Sequence, residues 1–112
     1  MPMYETEYEI EVGTLYESIV SMEDANEIEI DFNQVPPSLR ASAKSELHDW
    51  FSCNPIPDNC LVKQGNTMHV YLHFCPDVGA LESKLVDLFV PIAQRVLDGD
   101  YPKPTMREWI YA

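Results

Sequence analysis

Polar and apolar residues alternate one for one over two stretches near the start of the chain. Glu5, Glu7, Glu9 and Glu11 interleave with Tyr4, Thr6, Tyr8, Ile10 and Val12, and Glu27, Glu29 and Asp31 interleave with Ile28, Ile30 and Phe32. Period two is the mark of a half-buried β-strand, because successive side chains point to opposite faces. Both stretches are therefore predicted as strands that bury an apolar face and show carboxylates on the other. Gly13 stands at the first central position of a candidate two-residue hairpin turn. The chain is expected to return through Leu15 to Met22 and to re-enter the second acidic strand after the polar turn at Glu23, Asp24, Ala25 and Asn26.

Beyond Pro36 and Pro37 the period changes. Leu39, Ala43, Leu47, Trp50 and Phe51 recur at helical spacing up to about Cys53, where Asn54 and Pro55 stop the pattern. Cys60–Gln64 and Thr67–Cys75 form a hairpin about Gly65 and Asn66, with Met68, Val70, Leu72 and Phe74 as its buried face and His69, Tyr71 and His73 opposite. Asp77 is the expected N-cap of a second helix whose stripe is Leu81, Leu85, Leu88, Ile92 and Val96, bent at Pro91 and ended by Gly99. The tail supports two readings, a short helix opened by the Thr105 to Glu108 capping pattern or a last strand through Trp109, Ile110 and Tyr111. No internal repeat or low-complexity segment is evident.

These elements predict an α+β class: an antiparallel-rich sheet with two helices packed on one face, forming one domain over residues 1–112. With a C-terminal strand, residues 27–112 read β-α-β-β-α-β, the split arrangement of ferredoxin-like domains, preceded by an acidic hairpin over residues 1–26. The runner-up is a three-stranded meander, helix, hairpin and helix.

Charge turns this outline toward function. The chain holds 19 acidic residues against seven Lys and Arg, a net charge of −12, and ten of the acids fall between Tyr4 and Asp31, before the first cation, Arg40. Direct binding of nucleic acid is disfavoured, since so few cations cannot neutralise a phosphate backbone. Attraction runs toward basic protein surfaces, including the clefts of nucleic-acid enzymes. Carboxylates two apart on a strand are separated by about 6.7 Å. Phosphates on one DNA strand follow every ~3.4 Å of axis, so two adjacent carboxylate columns approach that density. The bland alternative is a solvated Glu-rich face, although soluble surfaces usually mix both signs.

No apolar run of membrane-spanning length and no leader-like N-terminus is present, which points to a cytoplasmic protein without membrane contact. Cys53, Cys60 and Cys75 lack metal-site spacing and read as free thiols. His69 and His73, four apart on a strand, stand roughly 13 Å from each other and cannot share a metal unaided. No catalytic motif, phosphate loop, cofactor motif or metal-ligand spacing appears, so no catalytic, cofactor or metal site is assigned.

The leading expectation is a non-enzymatic inhibitor encoded by a phage or mobile element. It would mimic nucleic acid in the basic cleft of a host enzyme or defence complex, of the anti-restriction, anti-CRISPR or DNA-glycosylase-inhibitor kind. The expected partner-binding residues are Glu5, Glu7, Glu9, Glu11, Glu17, Ile19, Glu27, Glu29 and Asp31, with Tyr16, Ile19 and Trp109 as apolar anchors. The alternative is an interaction module, such as an antitoxin, immunity protein or accessory subunit, that covers a basic partner; a homodimer is compatible with both. A third reading is a small enzyme using Cys75, His69 or His73. Glu17, Ser18 and Ile19 resemble the Glu-Ser-Ile segment of phage uracil-DNA glycosylase inhibitors, where that segment contacts the enzyme's DNA-binding groove. The resemblance covers those three residues. A helix precedes the segment in those inhibitors, whereas the alternation here predicts a strand.

Overall fold

The computed structural model describes residues 6–24 and 26–101. Its elements run α1 (Glu7–Ile19), β1 (Val20–Asp24), β2 (Glu27–Asp31), α2 (Pro37–Cys53), β3 (Leu61–Gln64), β4 (Thr67–Tyr71) and α3 (Val78–Leu97). The class is α+β, with three helices and a four-stranded antiparallel sheet in the order β1-β2-β4-β3.

The N-terminal acidic hairpin is the main correction. The stretch is helix α1, and its start is fixed by a capping box: the Glu9 N–H donates to Thr6 Oγ1 at 3.0 Å and the Thr6 N–H donates back to Glu9 Oε1 at 2.8 Å. Glu7 and Glu9 then sit in the first turn, where the helix dipole favours negative charge. Val12 and Ile19 are buried seven residues apart, two turns along one face, and Leu15 and Tyr16 lie half-buried between them. Tyr8 extends the same face and donates from its hydroxyl to Asp98 Oδ1 at 3.2 Å, so the start of α1 lies beside the end of α3.

Gly13 is accordingly not a turn residue; it lies inside α1, and a Cβ added there meets nothing within 4 Å. Two substitutions separate helix from hairpin. Gly13→Ala is expected to raise stability by about 0.5–1 kcal/mol, as glycine is a poor helix former. Thr6→Ala is expected to lower it by about 1 kcal/mol through the lost cap. Urea unfolding of both variants checks this, and destabilisation by Gly13→Ala would restore the hairpin.

From β2 onward the sheet follows the expected split arrangement: β2 and β3 flank β4 and pair with it antiparallel. The outer place beside β2 is taken by β1, which precedes it in the chain. The described fold is thus αββαββα, in which the ββαββα after α1 is a permuted form of the expected β-α-β-β-α-β order, and residues 105–112 lie outside the described residues. One core holds Ile28, Ile30, Met68 and Val70 of the sheet with Ala43, Leu47 and Phe51 of α2, Leu81, Leu85 and Phe89 of α3, and Ile19 of α1. All three helices therefore pack on one sheet face, where two were expected. Phe74, expected on that buried face, is 68 % exposed, because β4 ends at Tyr71 and a 3-10 turn over Leu72–Phe74 swings it outward.

A repeat emerges that the residue pattern hides. Hairpin, 3-10 turn and helix occur twice, over β1-β2-α2 and β3-β4-α3. The Phe32 N–H donates to the Asn66 carbonyl and the Leu72 N–H to the Asn26 carbonyl, both at 2.7 Å, which relates the central strands by a shift of forty residues. The turns close alike, Val35 N–H to Phe32 O and Cys75 N–H to Leu72 O, both at 3.1 Å. Ile28 matches Met68, Ile30 matches Val70, Phe32 matches Leu72 and Pro36 matches Pro76: character is shared, identity mostly not.

Candidate functional site

The two acidic stretches do not form one surface. Glu27, Glu29 and Asp31 alternate with the buried Ile28 and Ile30 and so face away from the helical layer, half-buried on the open side of the sheet. Glu7, Glu9 and Glu11 belong to α1, in the helical layer on the other side, and Glu5 lies outside the described residues. Even within α1 the glutamates diverge. Glu7 and Glu11 share a face one turn apart, Glu9 is engaged in the cap, and Glu17 lies near the far end. The expected double column of carboxylates is thereby corrected to two separate anionic faces. The cause is helical geometry, which spreads by 100° per residue what a strand would align. Ile19, expected as a contact, is 3 % exposed and belongs to the core. Trp109 lies outside the described residues.

Three of the described cations are engaged away from these faces. Arg40 donates through Nε to the Val35 carbonyl at 2.9 Å and through Nη2 to the Asn33 carbonyl at 3.0 Å. Lys44 Nζ donates to Asn66 Oδ1 at 2.8 Å and stands 5.4 Å from the Phe32 ring centre. Arg95 reaches Asp100 at 3.4 Å, at the end of α3. On the open sheet face the partner of Glu27 is a histidine: His69 Nδ1 sits 2.7 Å from Glu27 Oε2.

A groove of about 610 Å³ opens between the end of α1, the outer strand β1 and the first half of α3. Tyr16 and Glu17 form one wall, Val20, Met22 and Ile28 the floor, and Glu82, Leu85 and Val86 the other wall. Met22 is 52 % and Val86 43 % exposed, so apolar surface faces solvent beside two carboxylates. Burial, and then the neighbouring Glu82 carboxylate, hold the Tyr16 hydroxyl above the ordinary tyrosine range, which keeps it protonated and a donor. Of the groove's residues, sequence reading identified Tyr16 and Glu17. It missed Glu82, Met22 and Val86, although Val86 left a trace as an apolar residue off the Leu81, Leu85, Leu88 and Ile92 stripe.

The residues named for an enzymatic reading are spread over different settings. His69 pairs with Glu27 on the open face, His73 is exposed in the 3-10 turn, and Cys75 is packed half-buried against the core. Cys53, Cys60 and Cys75 are free thiols. Among the described residues no group of three or more His, Cys, Asp or Glu is arranged to hold a metal ion, and no helix is long and apolar enough to cross a membrane. No protein-family model matches the chain, and no curated protein or solved structure matches it either.

Proposed function

We propose that this is a non-enzymatic acidic binding protein that occupies a basic protein surface built to hold nucleic acid, and so excludes the nucleic acid from it. The observation that supports this reading is the groove beside α1, where the exposed Glu17 and Glu82 carboxylates border the exposed apolar side chains of Met22 and Val86. Charge of one sign at −12 steers a basic partner toward the protein over a distance, and exposed apolar surface then holds it. The partner class remains that of restriction, CRISPR-type or DNA-repair enzymes of the host cytoplasm, with a phage or mobile element as the source. Glu17, Ser18 and Ile19 are the last three residues of α1, so the segment is helical here, whereas in the phage glycosylase inhibitors it resembles it is a strand that follows a helix. The second reading, a module that covers a basic surface unrelated to nucleic acid, shares the same groove.

Capture from nuclease-treated lysate on immobilised protein separates the two. The first reading predicts that the retained protein is released by added duplex DNA or RNA. Retention that nucleic acid leaves unchanged, and that only salt reverses, would favour the second.

A further inference from the structure

We infer that the groove between α1, β1 and α3 receives a lysine or arginine side chain of the partner, its aliphatic stem along Val20, Met22, Leu85 and Val86 and its charged head at Glu17 and Glu82. This rests on the reading of a basic partner and adds to it a defined point of contact.

The internal repeat carries the argument, since the chain already contains this corner once with its own lysine in it. Between α2 and the β3-β4 hairpin, Phe32, Lys44, Lys63, Gly65, Thr67 and Met68 line a cavity of about 110 Å³. Strand pairing makes Met68 the counterpart of Ile28 and Lys63 the counterpart of Met22, because Lys63 pairs with Met68 as Met22 pairs with Ile28. At this corner α2 lies beside the β3-β4 hairpin and supplies Lys44, as at the other α3 lies beside the β1-β2 hairpin and supplies Glu82, Leu85 and Val86. Lys44 lies over the Phe32 ring and ends on an amide oxygen, so that corner closes on itself. At the corner of α3 and the β1-β2 hairpin, the apolar Met22 takes the Lys63 position, no Lys or Arg is among the described lining residues, and α1 adds Tyr16 and Glu17 as an outer wall around a larger space. The floor is built alike and the cation is missing.

Only one side-chain chemistry satisfies all of the lining. A purely apolar group would desolvate Glu17 and Glu82 without pairing them. An anion is repelled, and a small inorganic cation leaves Met22 and Val86 in water. Lysine and arginine lay an apolar stem along such surface and keep the charged end at its polar margin.

The test uses isotope-labelled full-length protein at physiological salt and three capped peptides, Ala-Arg-Ala, Ala-Lys-Ala and Ala-norleucine-Ala, followed by amide chemical-shift titration. The Arg or Lys peptide is expected to give saturable shifts confined to Tyr16 and Glu17, Val20 to Met22, and Glu82 to Val86, with a Kd on the order of millimolar for so small a ligand. Norleucine, which keeps the stem and drops the charge, is expected to bind at least about fivefold more weakly, and the paired Glu17→Gln and Glu82→Gln variant to lose about as much. Three results would overturn the inference: shifts spread over the acidic surface, norleucine binding as well as lysine, or the same amides moving with protein concentration alone, which would mark a second copy as the occupant. No shift up to about 10 mM peptide also counts against it. The partner reading stands apart from this outcome, because release of the captured partner by DNA or RNA does not depend on which side chain enters the groove.

Discussion

Replacing Phe89 with Ala is expected to remove about 3–5 kcal/mol of folding stability, the range for emptying a buried aromatic site. Phe89 of α3 is fully buried and meets Phe32, at the end of β2, edge to face with ring centres 6.0 Å apart. One ring comes from each half of the repeat, so the pair joins the two hairpin-helix units and holds the corners where both grooves lie. A domain of this size has a total stability of about 5–15 kcal/mol, and the variant is therefore expected to unfold well below the wild type in a thermal or urea titration. Phe89→Leu, which keeps most of the volume, is expected to cost less than about 1.5 kcal/mol. A loss below about 1 kcal/mol for Phe89→Ala would mean that the two halves do not pack as described.

The second large effect concerns binding, and it follows from the separation of the two anionic faces. One rigid cleft cannot grip both sides of the sheet at once. Neutralising Glu7, Glu11 and Glu17 to Gln on the α1 side is expected to weaken partner binding roughly thirty- to a hundredfold at low salt, with the difference shrinking as ionic strength rises. Neutralising Glu27 and Glu29 to Gln and Asp31 to Asn on the open sheet face is expected to change affinity by less than about threefold. Isothermal titration over a salt series reads both. The reverse order of effects would move the docking surface to the sheet and away from the groove.

Much of the fold was legible from residue spacing. The apolar stripe of α2, the Gly65 turn, the Asp77 cap and the stripe of α3 each rest on a local signal that tertiary packing has no reason to override. The misreading of residues 6–12 has a definite origin. Thr6, Tyr8, Ile10 and Val12 alternate with glutamates as a strand would, yet Thr6 and Glu9 also form a capping box, and Tyr8, Val12, Leu15 and Ile19 keep helical spacing. So short a window satisfies both periods; extension to Ile19 favours the helix, and contact with α3 secures it. The repeat escaped because equivalent positions conserve apolar character, Phe32 with Leu72 and Ile30 with Val70, rather than identity. The groove was beyond reach for another reason. Its walls come from three elements separated along the chain, and no local pattern states that Tyr16, Met22 and Val86 meet.

The central claim is that this protein and nucleic acid compete for the same basic surface of a partner, and sedimentation of the purified partner with both ligands tests it most directly. The account predicts two binary complexes and no ternary one, with duplex DNA or RNA displaced in proportion to added protein. A stable particle containing partner, nucleic acid and this protein together would contradict it.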